Sequence, residues 1–127
     1  MMIRTILIVG TGGFIGSVMR YLSQIFIEKI FHSTFPWGTF FVNILGSLII
    51  GMVYELAEKG NYLNAEWRLF LAVGVCGGFT TFSAFTYNNL MLIKDQSTAL
   101  LLFNVFGSIV LGILAVYLGI IFIRTMV

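Results

Sequence analysis

The sequence predicts an all-α integral membrane protein of four spanning helices, with a break part-way along the third. Three observations predict it. First, 59% of the 127 residues are hydrophobic and only 9% are charged, with a mean hydropathy of +1.02; a soluble domain carries about 25% charged residues. Second, the apolar residues fall into four runs, each near the roughly 20 residues that a helix needs to cross a bilayer. Third, the stretch Gly74-Val75-Cys76-Gly77-Gly78-Phe79-Thr80-Thr81-Phe82-Ser83-Ala84-Phe85 lies inside the third run. Adjacent glycines favour non-helical backbone. A broken backbone in hydrocarbon must be satisfied by protein, water or an ion, so the break predicts a pathway or binding site.

Span 1 is expected from about Ile3 to Ile27, closed by Glu28-Lys29, and span 2 from about Trp37 to Ala57, opened by Pro36, a good first-turn residue. Span 3 is expected from about Leu69 to Ile93, between Arg68 and Lys94-Asp95, and span 4 from about Ala99 to Ile123, before Arg124. The connections are short, so residues 1–127 read as a single domain. Strands are not an option, because an isolated strand cannot span a bilayer. The first apolar run lacks the features of a cleaved signal peptide and reads as a span.

Four spans put both termini on one side, with Arg4, Lys59, Arg68 and Arg124; the other side has Lys29, Lys94 and the nearby Arg20. Four basic residues against three give no clear positive-inside bias. The sequence is consistent with insertion in both orientations, which would allow an antiparallel homodimer; a topology fixed by a few residues or a partner is the alternative.

The composition excludes several functions. A net charge of +2, dispersed along the chain, does not suggest nucleic acid. The lone Cys76 excludes an internal disulfide and a cysteine metal cluster, and reads as a small apolar residue beside the break. The lone His32, in a loop, leaves no constellation for acid–base catalysis, and no enzyme is expected. Gly10-Thr11-Gly12-Gly13-Phe14-Ile15-Gly16 has the look of a dinucleotide loop, but it lies within an apolar run rather than between strand and helix. Gly12 and Gly16 instead have the spacing of helix contacts.

Polar residues inside the spans are the candidates for function. Arg20 either snorkels to the interface or faces a water-filled vestibule and attracts anions. Asn43, roughly 9 Å into span 2 at 1.5 Å per residue, either bridges helices or turns its NH2 toward a passing anion; Thr39 lies one turn earlier on the same face. Asn104, Ser108, Gly112, Ala115 and Gly119 form one small or polar face of span 4. Phe82 and Phe85 share a face if helix resumes after the break. They either fill space or present ring edges, whose partial positive charge can stabilise an anion.

Three motifs together point further: Gly12-Gly13-x-x-Gly16 with Arg20-Tyr21; Pro36-x-Gly38-Thr39-x-x-Val42-Asn43-x-x-Gly46; and Gly77-Gly78-Phe79-Thr80-Thr81-Phe82-Ser83-Ala84-Phe85. With these, the chain resembles the Fluc (CrcB) fluoride channels from about Gly12 to Ser108. The resemblance implies a multi-pass protein of the cell (inner) membrane that exports fluoride passively. It also implies an antiparallel dual-topology homodimer with two pores, each lined by both subunits. Asn43 matches the family's pore asparagine, Phe82 and Phe85 its paired phenylalanines, Ser83 a pore hydroxyl and Arg20 the first-helix arginine. Gly77 and Thr80 match positions whose backbone carbonyls hold a central structural sodium ion (Na+). Many members have Thr where this chain has Ala84 and Tyr where it has Asn104, both beside the phenylalanines.

The residue types suit the implied ion. Fluoride is small and strongly hydrated, so a pore must replace its water hydrogen bonds, which amide, hydroxyl and ring-edge donors can do while still releasing it. An inside-negative potential would drive efflux by about 2.3 kcal/mol per charge per 100 mV. Two rival readings exist: a small dual-topology multidrug/proton antiporter and a non-transporting scaffold. The antiporter needs an intramembrane carboxylate, whereas Glu28, Glu55, Glu58, Glu66 and Asp95 are all expected at or beyond a span end.

Overall fold

Bilayer-length apolar runs with no room for strands fold as helices throughout the computed structural model, which describes all residues Met1–Val127. Helix α1 spans Met2–Ile30 and α2 spans Trp37–Glu58. The third span is composite. It begins with α3 (Ala65–Arg68), widens into a π-helical stretch (Leu69–Cys76), tightens to α4 (Gly77–Phe79), and resumes as α5 (Phe82–Lys94) after two extended residues. Helix α6 spans Thr98–Met126. Four segments are long and apolar enough to cross a membrane: Met2–Ile30, Trp37–Glu58, Ala65–Lys94 and Thr98–Met126. Their outer surfaces remain apolar nearly all round, from Phe14 and Phe26 on α1 to Ile113 and Tyr117 on α6, the pattern of helices that face lipid or another chain.

Glycines bring the helices together. Gly12 and Gly16 are the buried residues of α1, and both press on the π-helical stretch. A Cβ at Gly12 would come 2.5 Å from the Phe70 carbonyl oxygen and 3.0 Å from the Gly74 Cα, and one at Gly16 would collide with the Val75 carbonyl. The contact is therefore backbone against backbone, as the spacing in span 1 predicts. Helices α2 and α6 form the most extensive pair; there a Cβ at Gly51 would strike the Val116 carbonyl, and one at Gly119 the Leu48 carbonyl. The small face of span 4 is thus a packing face at Ala115 and Gly119, both buried.

Gly16→Leu should prevent this packing. Backbone cannot move aside as a flexible side chain can, and overpacking costs about 1–3 kcal/mol or more. The expected outcome is aggregation or a marked loss of thermal stability in detergent; a monodisperse, equally stable variant would refute the contact.

The break itself differs from the sequence-based expectation. Gly77 and Gly78 are helical, and the helix is interrupted at Thr80 (φ −89°, ψ 159°) and Thr81 (φ −150°, ψ 122°). Gly78 is needed for close approach, since its Cβ would lie 2.6 Å from the Gly13 carbonyl oxygen and 3.0 Å from the Ser17 nitrogen. The interruption falls at the threonines because a partner from outside the span, Asn43, takes up the backbone groups of Thr81.

Candidate functional site

At the interruption, a side chain of α2 takes over from the helix. The Asn43 Nδ2 donates to the Thr81 carbonyl at 3.0 Å, and the Thr81 N–H donates to Asn43 Oδ1 at 2.8 Å. One carboxamide so pairs with both backbone groups of Thr81 as a neighbouring strand would. The bridging role open to Asn43 is the one seen, and it still leaves the second Nδ2 hydrogen unassigned to Thr81. Thr81 in turn caps α5: its hydroxyl accepts from the Ala84 N–H at 3.2 Å and lies 3.3 Å from the Ser83 hydroxyl. That is the arrangement of a side chain satisfying an orphan N–H at a helix start.

The carbonyls that the break frees divide into two kinds. The Thr81 N–H, which in a continuous helix would reach the Gly77 carbonyl, is used by Asn43 instead. The Thr80 carbonyl accepts no hydrogen bond. By contrast, the Gly78 carbonyl accepts from Arg20 Nε at 3.0 Å. Arg20 is half-buried and braces the break, so its position is fixed by a carbonyl rather than by the membrane surface alone.

Beside the break lies an open cavity of about 350 Å³. Asn43 and Ser47 of α2, Thr80 and Thr81, Phe82 and Phe85 of α5, and Ser108 of α6 line it. The two phenylalanine rings are neighbours, 5.9 Å between centroids and tilted by 40°, as their three-residue spacing predicts. Phe82 is 75% exposed in the single chain. Ser47 was not singled out in the sequence; it follows Asn43 by one turn and donates to the Asn43 carbonyl at 2.7 Å. Ser108 lies about 15 Å along α6 from its start at 1.5 Å per residue.

Not every candidate residue meets at the cavity. Ser83 is exposed, its hydroxyl against Thr81 rather than in the lining. Thr39 is buried one turn away, where its hydroxyl oxygen accepts from Gln24 Nε2 at 3.1 Å and from Asn88 Nδ2 at 3.0 Å. Asn104 is buried against α5, donating from Nδ2 to Asn89 Oδ1 at 2.7 Å, and accepts from the Ser108 hydroxyl at 3.4 Å. Gln24, Asn88 and Asn89 were missed in the sequence. The available signal was their being uncharged amides inside apolar spans, where each must find a partner.

Two carboxylates are held in ion pairs. Glu55 lies inside α2, three residues before its end, and is buried, closer to the interior than the sequence suggests. Its carboxylate is 2.9 Å from Arg124 Nε, a pair that ties the ends of α2 and α6. Glu66 pairs with Arg4 at 2.9 Å on the exposed surface.

The geometry first defines a class: a multi-pass membrane protein whose broken third span and second span enclose an uncharged cavity of amide, hydroxyl and aromatic groups. Sequence relationships then place it. The family described as "CrcB-like protein, Camphor Resistance (CrcB)" matches residues 7–120, and the chain belongs to that family. A protein of Bacteroides fragilis named "Fluoride-specific ion channel FluC" is 49% identical, the match covering 91% of this chain and 93% of that protein. Proteins of the same name from Phocaeicola vulgatus and Thermus thermophilus are 46% and 45% identical; the matches cover 92% and 89% of this chain and 96% and 88% of theirs.

Proposed function

We propose that this chain is the subunit of a fluoride-selective channel that lets fluoride leave the cell passively across the inner membrane. The observation that carries the reading is the cavity beside the break in the third span, lined by hydroxyls, the Asn43 amide and a phenylalanine pair, with no charged side chain among its lining residues. Neutral donors can replace the water around a small anion and still let it go. The names of the relatives at 45–49% identity support fluoride as that ion. Asn43, Phe82, Phe85 and Ser108 are proposed to contact it, with Ser83, Thr39 and Asn104 beside the path. Arg20 holds the break in place and adds a positive potential. Fluoride efflux from liposomes containing the purified protein tests the reading, and no efflux above protein-free liposomes would overturn it.

The same reading makes the functional unit an antiparallel homodimer. Phe82, 75% exposed next to the cavity, would complete a pore wall with a second copy, and the even spread of basic residues allows both orientations. A cysteine placed at either terminus should react from both sides of the membrane, in comparable amounts, on sealed vesicles. Complete protection from one side would show a single topology.

A structural sodium ion fits the residues present. The Gly77 and Thr80 carbonyls lack their helical partners, Gly77 is exposed, and oxygen donors suit a hard cation. Two copies would offer four such oxygens. When bound, the ion would supply the positive charge that satisfies them. Exchanging sodium for a large organic cation is expected to weaken dimer assembly, measured by size-exclusion chromatography; unchanged assembly would refute it.

A further inference from the structure

Every hydrogen bond in the side-chain chain that ends at Ser108 runs away from the cavity. The Ser108 hydroxyl donates to Asn104 Oδ1, and Asn104 Nδ2 donates to Asn89 Oδ1. Ser108 has only one proton, so in this arrangement it turns an oxygen lone pair toward the cavity that it lines. That polarity repels an anion, although the neighbouring Asn43 amide and phenylalanine rings suit one.

All three groups can reverse together. A hydroxyl rotates freely, and a carboxamide turned by half a revolution exchanges its oxygen and NH2 with almost no change of shape. In the reversed state Asn89 donates to Asn104, Asn104 donates to Ser108, and the Ser108 O–H points into the cavity. The chain keeps both of its internal bonds and gains one to the ion. Asn104 is 1% exposed, so water cannot complete its amide, and its two neighbours decide which way it faces. The Ser108–Asn104 link, at 3.4 Å against 2.7 Å for Asn104–Asn89, is long for a hydroxyl donor and is where reversal would start.

We infer that Asn89 and Asn104 are positioning residues that act through Ser108. They form a reversible relay that presents an acceptor to an empty cavity and a donor to an anion. The inference rests on the channel reading above. The competing account is a static tie between α5 and α6.

Acceptor-only chemistry at residue 89 separates them. Asn89→Asp keeps the shape but cannot donate, which holds the Asn104 NH2 toward it and the Ser108 proton away from the cavity. Fluoride efflux from liposomes should fall roughly tenfold or more, because reversal would now leave the buried Asn104 oxygen unpaired. Asn89→Gln, which can still donate and accept, should keep most of the efflux. In a Ser108→Ala background, Asn89→Asp should have little further effect. An equal fractional loss with and without Ser108, or near-normal efflux in Asn89→Asp, would overturn the relay while leaving the channel reading intact. Absence of efflux from the unaltered protein would overturn both. If Asn89→Asp does not fold as judged by size-exclusion chromatography, Asn104→Asp, which accepts from the Ser108 hydroxyl and from the Asn89 NH2 but cannot donate to Ser108, carries the same prediction and the same dependence on Ser108.

Discussion

Asn43→Asp is expected to abolish fluoride efflux and also to loosen the break. The two substituents are nearly the same shape, but only the amide can donate to the Thr81 carbonyl while accepting from the Thr81 N–H. A carboxylate keeps the second bond and turns the first into a repulsion. It also puts a negative charge on the cavity wall. At 4 Å and an effective dielectric constant of 20, two like charges repel by about 4 kcal/mol, so efflux should fall on the order of a hundredfold or more. Asn43→Leu separates the contributions. It adds no charge but leaves both Thr81 backbone groups unpaired, at about 1–3 kcal/mol for each group that water does not reach. Its thermal stability in detergent should fall, and efflux with it. A stable Asn43→Leu channel that conducts normally would show that the carboxamide is not needed at the break.

Phe82→Ile and Phe85→Ile should each reduce efflux strongly while the protein still assembles. The rings lie side by side at the cavity, and Phe82 is largely exposed in the single chain, so Phe82 is not explained by filling this chain's own core. An isoleucine retains the apolar bulk but lacks the positive ring edge. If an edge contributes about 1.5 kcal/mol to holding the ion, its loss is worth roughly tenfold in occupancy. Efflux should be measured alongside size-exclusion chromatography, so that a lost assembly is not mistaken for a lost contact. Near-normal efflux in both variants would return the rings to packing and leave Asn43 and the hydroxyls to hold the ion.

The glycines show how far sequence reasoning reaches. Gly12 and Gly16 read as a packing pair and are one, because helix periodicity is local and a missing Cβ has one main use inside a membrane. Gly77-Gly78 read as the break and are not. Their composition permits either a bend or a close approach, and only the position of α1, with the Gly13 carbonyl against Gly78, decides for the second. Asn43, Phe82, Phe85 and Ser108, which line the cavity, were legible as candidates because polar groups and a spaced ring pair stand out against apolar spans. Gln24, Asn88 and Asn89 were not, since each gains meaning only from a partner at least 15 residues away.

The sequence by itself determined the membrane class, the four spans to within a few residues, and an interruption in the third. Bilayer length and the obligation to satisfy every backbone group act on local composition, and both can be read along a single chain. Only the tertiary structure decided that the interruption falls at Thr80-Thr81, that Arg20 holds the Gly78 carbonyl, and that Thr39 and Asn104 sit in hydrogen-bond networks beside the cavity. The physical reason is that a helix gives way where a competing partner replaces its own hydrogen bonds. Here that partner, Asn43, comes from 38 residues earlier in the chain.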